Sequence, residues 1–193
     1  LPEDYYGAAF LAAKDLEVVV IRLLKLSNIA GEFSLLLECS NKKRSNTADA
    51  KPTQPEDIAV LLHTSGTTSR PKIVPITHLN LIASARHISQ SLLLDPNDRC
   101  LNVMPLFHIH GLVAALASSL YSGGQLFCTT GFDGLKFFRW LLEYKPTWYS
   151  AVPTMHQAIL ARAKHNSKVL GQINLRFIRS SSASLSPKIY DDL

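Results

Sequence analysis

The sequence predicts an α/β protein, a largely parallel sheet flanked by helices, and three observations carry that expectation. Short apolar runs alternate with alanine-rich or amphipathic stretches of helical length, the pattern of strand–helix–strand units. With 193 residues, 47% hydrophobic and 18% charged, the chain can bury a sizeable core and has no disordered composition. A hydroxyl-rich loop, Thr64-Ser65-Gly66-Thr67-Thr68-Ser69, sits between two apolar runs. In parallel sheets of this kind ligands bind outside the carboxyl ends of the strands.

Taken in order, residues 5–15 (YYGAAFLAAKD) read as a helix, and Glu17 to Leu23 and Phe33 to Cys39 as strands. From Ser40 to Glu56 the chain turns polar, with two prolines, and reads as a linker. Ile58 to His63 is an apolar run expected to be a buried strand, and Ile73 to Ile76 suggests a second extended segment. Thr77 can cap a helix from His78 to about Leu94 that turns Asn80, Ser84 and Arg86 to solvent. Asp95-Pro96-Asn97-Asp98 is a turn, and Cys100 to Met104 a strand. A helix from about Leu112 to Ser122 is closed by Gly123-Gly124. Then follow a strand from Gln125 to Thr130, a helix from Leu135 to Tyr144 and a strand from Trp148 to Ala151. Pro153 opens a helix to about His165, and Leu175 to Arg179 is a last strand. There is no internal repeat.

Four stretches carry candidate chemistry. In the first, glycine allows close backbone approach, successive N–H groups can form an anion nest, and Lys72 supplies a charge with Arg70 nearby. This suggests polyphosphate binding, although a Ser/Thr/Gly-rich loop alone is more often a solvated turn. It is not a Walker A loop, because Pro71 precedes the lysine and β-branched residues follow it. The second stretch is Pro105-Leu-Phe-His108-Ile-His110-Gly111. Histidines at i and i+2 point to opposite sides of an extended chain, so they do not readily share a metal, and no metal ligand set is expected. The plain reading puts one in a helix cap and the other against the core. In the third, WYSAVPT, Trp148 and Tyr149 read as core aromatics. The fourth, LRFIRSSSASLS, lacks the G-x-S-x-G of a hydrolase elbow.

Together these four stretches resemble, in order and spacing, the segments of the acyl-adenylate-forming (AMP-binding) superfamily, which includes acyl-CoA synthetases, peptide-synthetase adenylation domains and luciferases. TSGTTSRPK is similar to its phosphate loop, with Ser69 where glycine is usual and Ile73 where a glycine follows the lysine. The resemblance is strong over residues 56–193, weak over the first fifty, and closest in look to oxalate–CoA ligases and related acyl-CoA synthetases. It implies part of the large N-terminal domain of an ATP-dependent acid–CoA ligase that forms an acyl-adenylate and transfers the acyl group to CoA. ATP, Mg²⁺, CoA and a small carboxylic acid are then the reactants and partners. Thr64, Ser65, Gly66, Thr67, Thr68 and Lys72 would hold the phosphates, and His108 matches the motif histidine between acyl pocket and phosphates. Ser181, Ser182 and Ala183 would line the adenylate, the two serines standing at usual glycine positions. His110 receives no role from the resemblance, and its replacement is expected to be nearly silent.

Two readings of Ile73 stay open: a β-branched residue that impairs the loop, or an ordinary strand residue packed with Val74 and Ile76. Other family segments, including Tyr-Gly-x-Thr-Glu and the lid lysine, do not occur, so the expectation is an incomplete domain, inactive alone. The start at Leu1-Pro2-Glu3-Asp4, with no Met and no signal segment, reads the same way. A truncated binding module and a peptide-synthetase adenylation domain are the alternatives. The net charge of +5 is modest, and Lys42-Lys43-Arg44 reads as a solvated loop, which argues against a nucleic-acid partner. No apolar run reaches the length of a membrane span. Cys39, Cys100 and Cys128 form neither a CxxC site nor a disulfide framework, so a reducing compartment is expected, the cytoplasm or alternatively the peroxisome.

Overall fold

The computed structural model describes residues 2, 4–27, 29, 32–38, 51–64 and 72–193, in two compact units, 1–52 and 53–193. The first unit holds helix α1 (Ala8–Asp15) and an antiparallel hairpin of β1 (Val20–Lys25) and β2 (Phe33–Glu38). Arg22 organises it. Its guanidinium lies 4.8 Å from the Tyr6 ring and 4.4 Å from the Phe10 ring, pairs with Glu38 at 3.2 Å and donates to the carbonyls of Pro2 and Tyr5. A buried guanidinium is tolerated because its donors are met and aromatic faces cover its plane.

The second unit opens with an antiparallel hairpin, β3 (Ile58–Thr64) and β4 (Lys72–Thr77). Helix α2 (His78–Ser91) follows at once, started by a capping box: Asn80 N–H donates to Thr77 Oγ1 and Thr77 N–H to Asn80 Oδ1. Asn80, Ser84 and Arg86 face solvent as their spacing predicts. The hairpin corrects the expectation of a buried strand over 58–63, since Ile58 and Leu61 are more than half exposed. Among the described residues this hairpin joins no wider sheet, so only part of its surface is covered.

The parallel part is a four-stranded sheet of order β6-β5-β7-β8, built from β5 (Arg99–Asn102), β6 (Gln125–Cys128), β7 (Trp148–Ala151) and β8 (Phe177–Ser180). From β5 the chain steps to β6 on one side, then crosses back to β7 on the other. The strand order therefore reverses between β5 and β7. That reversal opens a crevice at the carboxyl ends of the two strands, the usual ligand position in such sheets.

Strand alternation assigns the two faces. Leu101, Val103, Tyr149 and Ala151 form one core with Phe137, Phe138, Trp140 and Leu141 of α4 (Phe137–Tyr144) and Ile159 of α5 (Pro153–Ala163). Cys100 and Trp148 face the other way, against Ala115 of a π-helix, His110–Ala117. This π-helix continues into α3 (Ser118–Tyr121), closed at Gly123 with φ 77°. The expected α-helix over 112–122 is thus wound mostly as π, and it starts two residues earlier. Burying a side chain such as Leu101 completely contributes about 1.5–3 kcal/mol, so these faces dominate the stability. A 3-10 turn (Lys164–Asn166) and α6 (Ser167–Leu170) lead to β8, and α7 (Pro187–Asp192) follows it, capped by Ser186.

At the amino ends of the strands, Asp98 accepts from the Asp95 backbone, from Thr147 Oγ1 at 2.7 Å and from Arg176 Nε and Nη2 at 3.1 and 2.5 Å. One buried carboxylate thus joins the starts of β5, β7 and β8. Burial alone would raise its pKa, but the hydrogen bonds from Arg176, Thr147 and the Asp95 backbone outweigh burial and hold it below the ordinary 3.8.

Among the described residues no helix is long and apolar enough to cross a membrane. Cys100 is a buried free thiol and Cys128 an exposed one, while Cys39 and Lys42-Lys43-Arg44 lie outside the described residues.

Candidate active site

The hairpin and the carboxyl ends of the parallel strands hold the residues singled out by sequence. Thr64 ends β3 and pairs with Lys72, which begins β4, and both are exposed. Hairpin register therefore sets the two ends of the phosphate stretch side by side. Ser65, Gly66, Thr67 and Thr68, with Ser69, Arg70 and Pro71, lie outside the described residues. Ile73 pairs with His63 in ordinary extended strand and is 61% exposed. Of the two readings of Ile73, the extended strand conformation is the one found, but the side chain stands mostly in solvent instead of being packed.

After β5 the chain turns sharply through Met104 and Pro105. Asn102 is buried and holds this turn, accepting from Met104 N–H at 3.1 Å and donating to the Gly111 carbonyl. Gly111 is required by close approach: a Cβ there would stand 2.4 Å from the Pro105 carbonyl oxygen. His108 is exposed, and its Nδ1 accepts the His110 N–H at 3.1 Å, as a helix-capping side chain does. His110, at the start of the π-helix, is 3% exposed.

The site converges on His110. Its Nε2 lies 2.7 Å from Ser150 Oγ of β7, and its Nδ1 lies 3.0 Å from Ser182 Oγ beyond β8. Arg179, at the end of β8, donates to Ser150 Oγ at 3.1 Å and to Ser181 Oγ at 3.4 Å. Burial first, then the positive charge of Arg179 and the neighbouring His108 and His156, push the His110 pKa down to about 4. The ring is therefore neutral at pH 7. Burial also lowers the pKa of Arg179, which still stays charged. Ser182 has φ 73°, a left-handed conformation that costs a non-glycine residue energy.

The structure thus brings Ser181 and Ser182 together with His110, Ser150 and Arg179 across the reversal in strand order, with Ala183 exposed just beyond. No hydrogen bond links this group to Thr64 or Lys72 among the described residues. Sequence reading passed over Ser150, Arg179 and His110. Ser150 and Arg179 were visible only as polar residues inside apolar strands, and the partners of His110 lie 40 and 72 residues away. The plain reading of the histidine pair, one in a cap and one against the core, matches the geometry. The buried His110 ring also meets a serine hydroxyl at each of its nitrogens, contacts that the expectation of a silent replacement did not include.

The model of the AMP-binding enzyme family matches residues 9–193. The chain belongs to the AMP-binding enzyme family. An oxalate–CoA ligase of Arabidopsis thaliana is 42% identical over 179 residues, which are 88% of this chain and 34% of the relative. One from Saccharomyces cerevisiae is 41% identical over 137 residues, covering 71% of this chain and 24% of that protein. The chain thus spans about a third or less of these relatives. Among solved structures, ATP-bound MatB from Rhodopseudomonas palustris superposes with a TM-score of 0.64 at 27% identity, covering 72% of this chain and 27% of that one. A malonyl-CoA ligase complex with methylmalonyl-CoA and AMP gives the same TM-score at 28% identity, covering 72% and 30%.

Proposed function

We propose that residues 56–193 form the phosphate-loop and acyl-cleft part of an AMP-forming acid–CoA ligase, with residues 1–55 an upstream segment of the same protein. The observation that supports this most is the convergence of three family segments, around His108, Ser150 and Ser182, on one sheet edge within an AMP-binding match. In the reaction a carboxylate oxygen attacks the α-phosphorus of ATP, and the bond to the β-phosphate breaks to release pyrophosphate. CoA sulfur then attacks the acyl carbon, its proton is lost, and AMP leaves.

In this reading Thr64, Ser65, Gly66, Thr67, Thr68 and Lys72 hold the β- and γ-phosphates, and the lysine offsets charge that builds as pyrophosphate departs. His108 borders the acyl site from the exposed turn. Ser181, Ser182 and Ala183 line the adenylate. Among the described residues no group of three or more His, Cys, Asp or Glu could hold a metal ion. Mg²⁺ would arrive on the nucleotide phosphates, and no step of the chain's own chemistry is assigned to it. The relatives named oxalate–CoA ligases and the polar surroundings of Arg179, His110 and Ser150 favour a short, polar acid. No nucleic-acid partner enters this reading, and the cytoplasm or the peroxisome fits three scattered cysteines with no CxxC site or disulfide framework in the sequence.

The test is acid-dependent ATP–pyrophosphate exchange by the natural gene product carrying this chain, with oxalate and a panel of short acids. Exchange with one of them, lowered about a hundredfold by Lys72→Ala, is expected, since removing one preorganised donor costs roughly 3 kcal/mol. No exchange with any acid, or full activity in Lys72→Ala, overturns the reading.

A further inference from the structure

We propose that His110 is a positioning residue: it carries a hydrogen-bond chain from Arg179 through Ser150 to Ser182, and so holds the Ser181–Ala183 turn left-handed with the Ser182 hydroxyl hydrogen free for a ligand oxygen. The proposal deepens the adenylation reading and rests on it for the ligand's identity.

The direction of the chain follows from donor accounting. Arg179 can only donate, so Ser150 Oγ accepts from it. Ser150 is fully buried, and the acceptor within reach of its single hydroxyl hydrogen is His110 Nε2 at 2.7 Å. A neutral imidazole that accepts at Nε2 carries its hydrogen on Nδ1, which then donates to Ser182 Oγ at 3.0 Å. The Ser182 oxygen is thereby engaged as an acceptor. Its own hydrogen is left over on an exposed side chain. In the reverse direction the buried Ser150 hydrogen would have no acceptor among the described residues, at a cost of about 1–3 kcal/mol.

The same bond explains why serine is tolerated at φ 73°. A glycine adopts that conformation freely. Serine at this position is restrained by a contact to a ring on another element. Loss of His110 is therefore felt in the geometry of the turn, and the histidine itself exchanges no proton with substrate. Three charged or titratable groups face the ring: Arg179 from β8, His108 from its own loop and His156 from α5. None of them is an acid that would favour protonation.

Two measurements on the natural gene product test this. Side-chain ¹⁵N NMR of His110 at pH 7, assigned by comparison with His110→Asn, should show hydrogen on Nδ1 and none on Nε2. The opposite tautomer or a cationic ring overturns the proposal, whether or not the protein exchanges pyrophosphate. In the exchange assay His110→Ala should lower kcat at least tenfold with little change in the KM for ATP. His110→Asn, which places an amide near the Nδ1 position, should recover part of the loss, and thermal midpoints confirm that each variant is folded. Ser182→Gly alone should cost a few-fold, and adding His110→Ala to it should cost little more, because glycine needs no restraint. Multiplying losses in the double variant, a silent His110→Ala, or an ionisation near 6.5 that vanishes in His110→Asn overturns the role. Absence of exchange in the unaltered protein instead defeats the adenylation reading, and leaves the tautomer to decide the hydrogen-bond chain.

Discussion

Asp98→Asn removes the charge that joins the amino ends of three parallel strands. The asparagine keeps one acceptor oxygen, which retains either the Thr147 and Arg176 Nε bonds of Oδ1 or the Asp95 backbone and Arg176 Nη2 bonds of Oδ2. Its amide turns donors toward the other pair, so one of the two Arg176 bonds and the attraction between the charges are lost. A hydrogen bond to a charged group contributes about 1.5–3 kcal/mol. Arg176 is 41% exposed, so solvent screening discounts the pair, and about 2 kcal/mol is a reasonable net loss. For a protein of this size that is a fall in thermal midpoint of about 4–8 °C at pH 7. The pH dependence has a definite sign. The folded-state pKa lies below the ordinary 3.8, so the ionised carboxylate stabilises the fold fully above that value. The stabilisation fades as pH falls through the lower folded-state value. Thermal midpoints of both forms across pH 3–7 should therefore differ most at neutral pH and converge toward the acid end. An equal midpoint at pH 7, or a difference that persists undiminished at pH 3, would refute the assignment of Asp98 as an ionised staple.

Two further predictions concern backbone and packing. Ile73→Gly should lower stability by about 1 kcal/mol through chain entropy in a strand and leave pyrophosphate exchange unchanged, because Ile73 already holds an extended, exposed conformation. Faster exchange in that variant would mean that the native side chain impairs the phosphate stretch. Gly111→Ala should cost about 1–3 kcal/mol and weaken exchange, since its Cβ would drive into the Pro105 carbonyl and displace the turn bearing His108; an unchanged midpoint would show that the turn yields freely.

Much of this protein was decided by signals that act within a few residues. Thr77 and Asn80 cap α2 reciprocally, Pro153 begins α5 with its ring-fixed φ, and Asp95 to Asp98 make a turn, all as local chemistry requires. Trp148 and Tyr149 lie in a strand buried on both faces, consistent with a parallel strand covered on each side. The motif segments were likewise legible, because each is contiguous. Tertiary structure decided the rest. The apolar run of β3 looked buried, yet burial depends on what covers a strand, and the described residues leave it largely open. The π winding from His110 and the left-handed conformation of Ser182 were not marked by any local pattern in the sequence. The contacts of His110 were hidden because its partners, Ser150 and Ser182, lie 40 and 72 residues onward and meet it only where the sheet reverses its order.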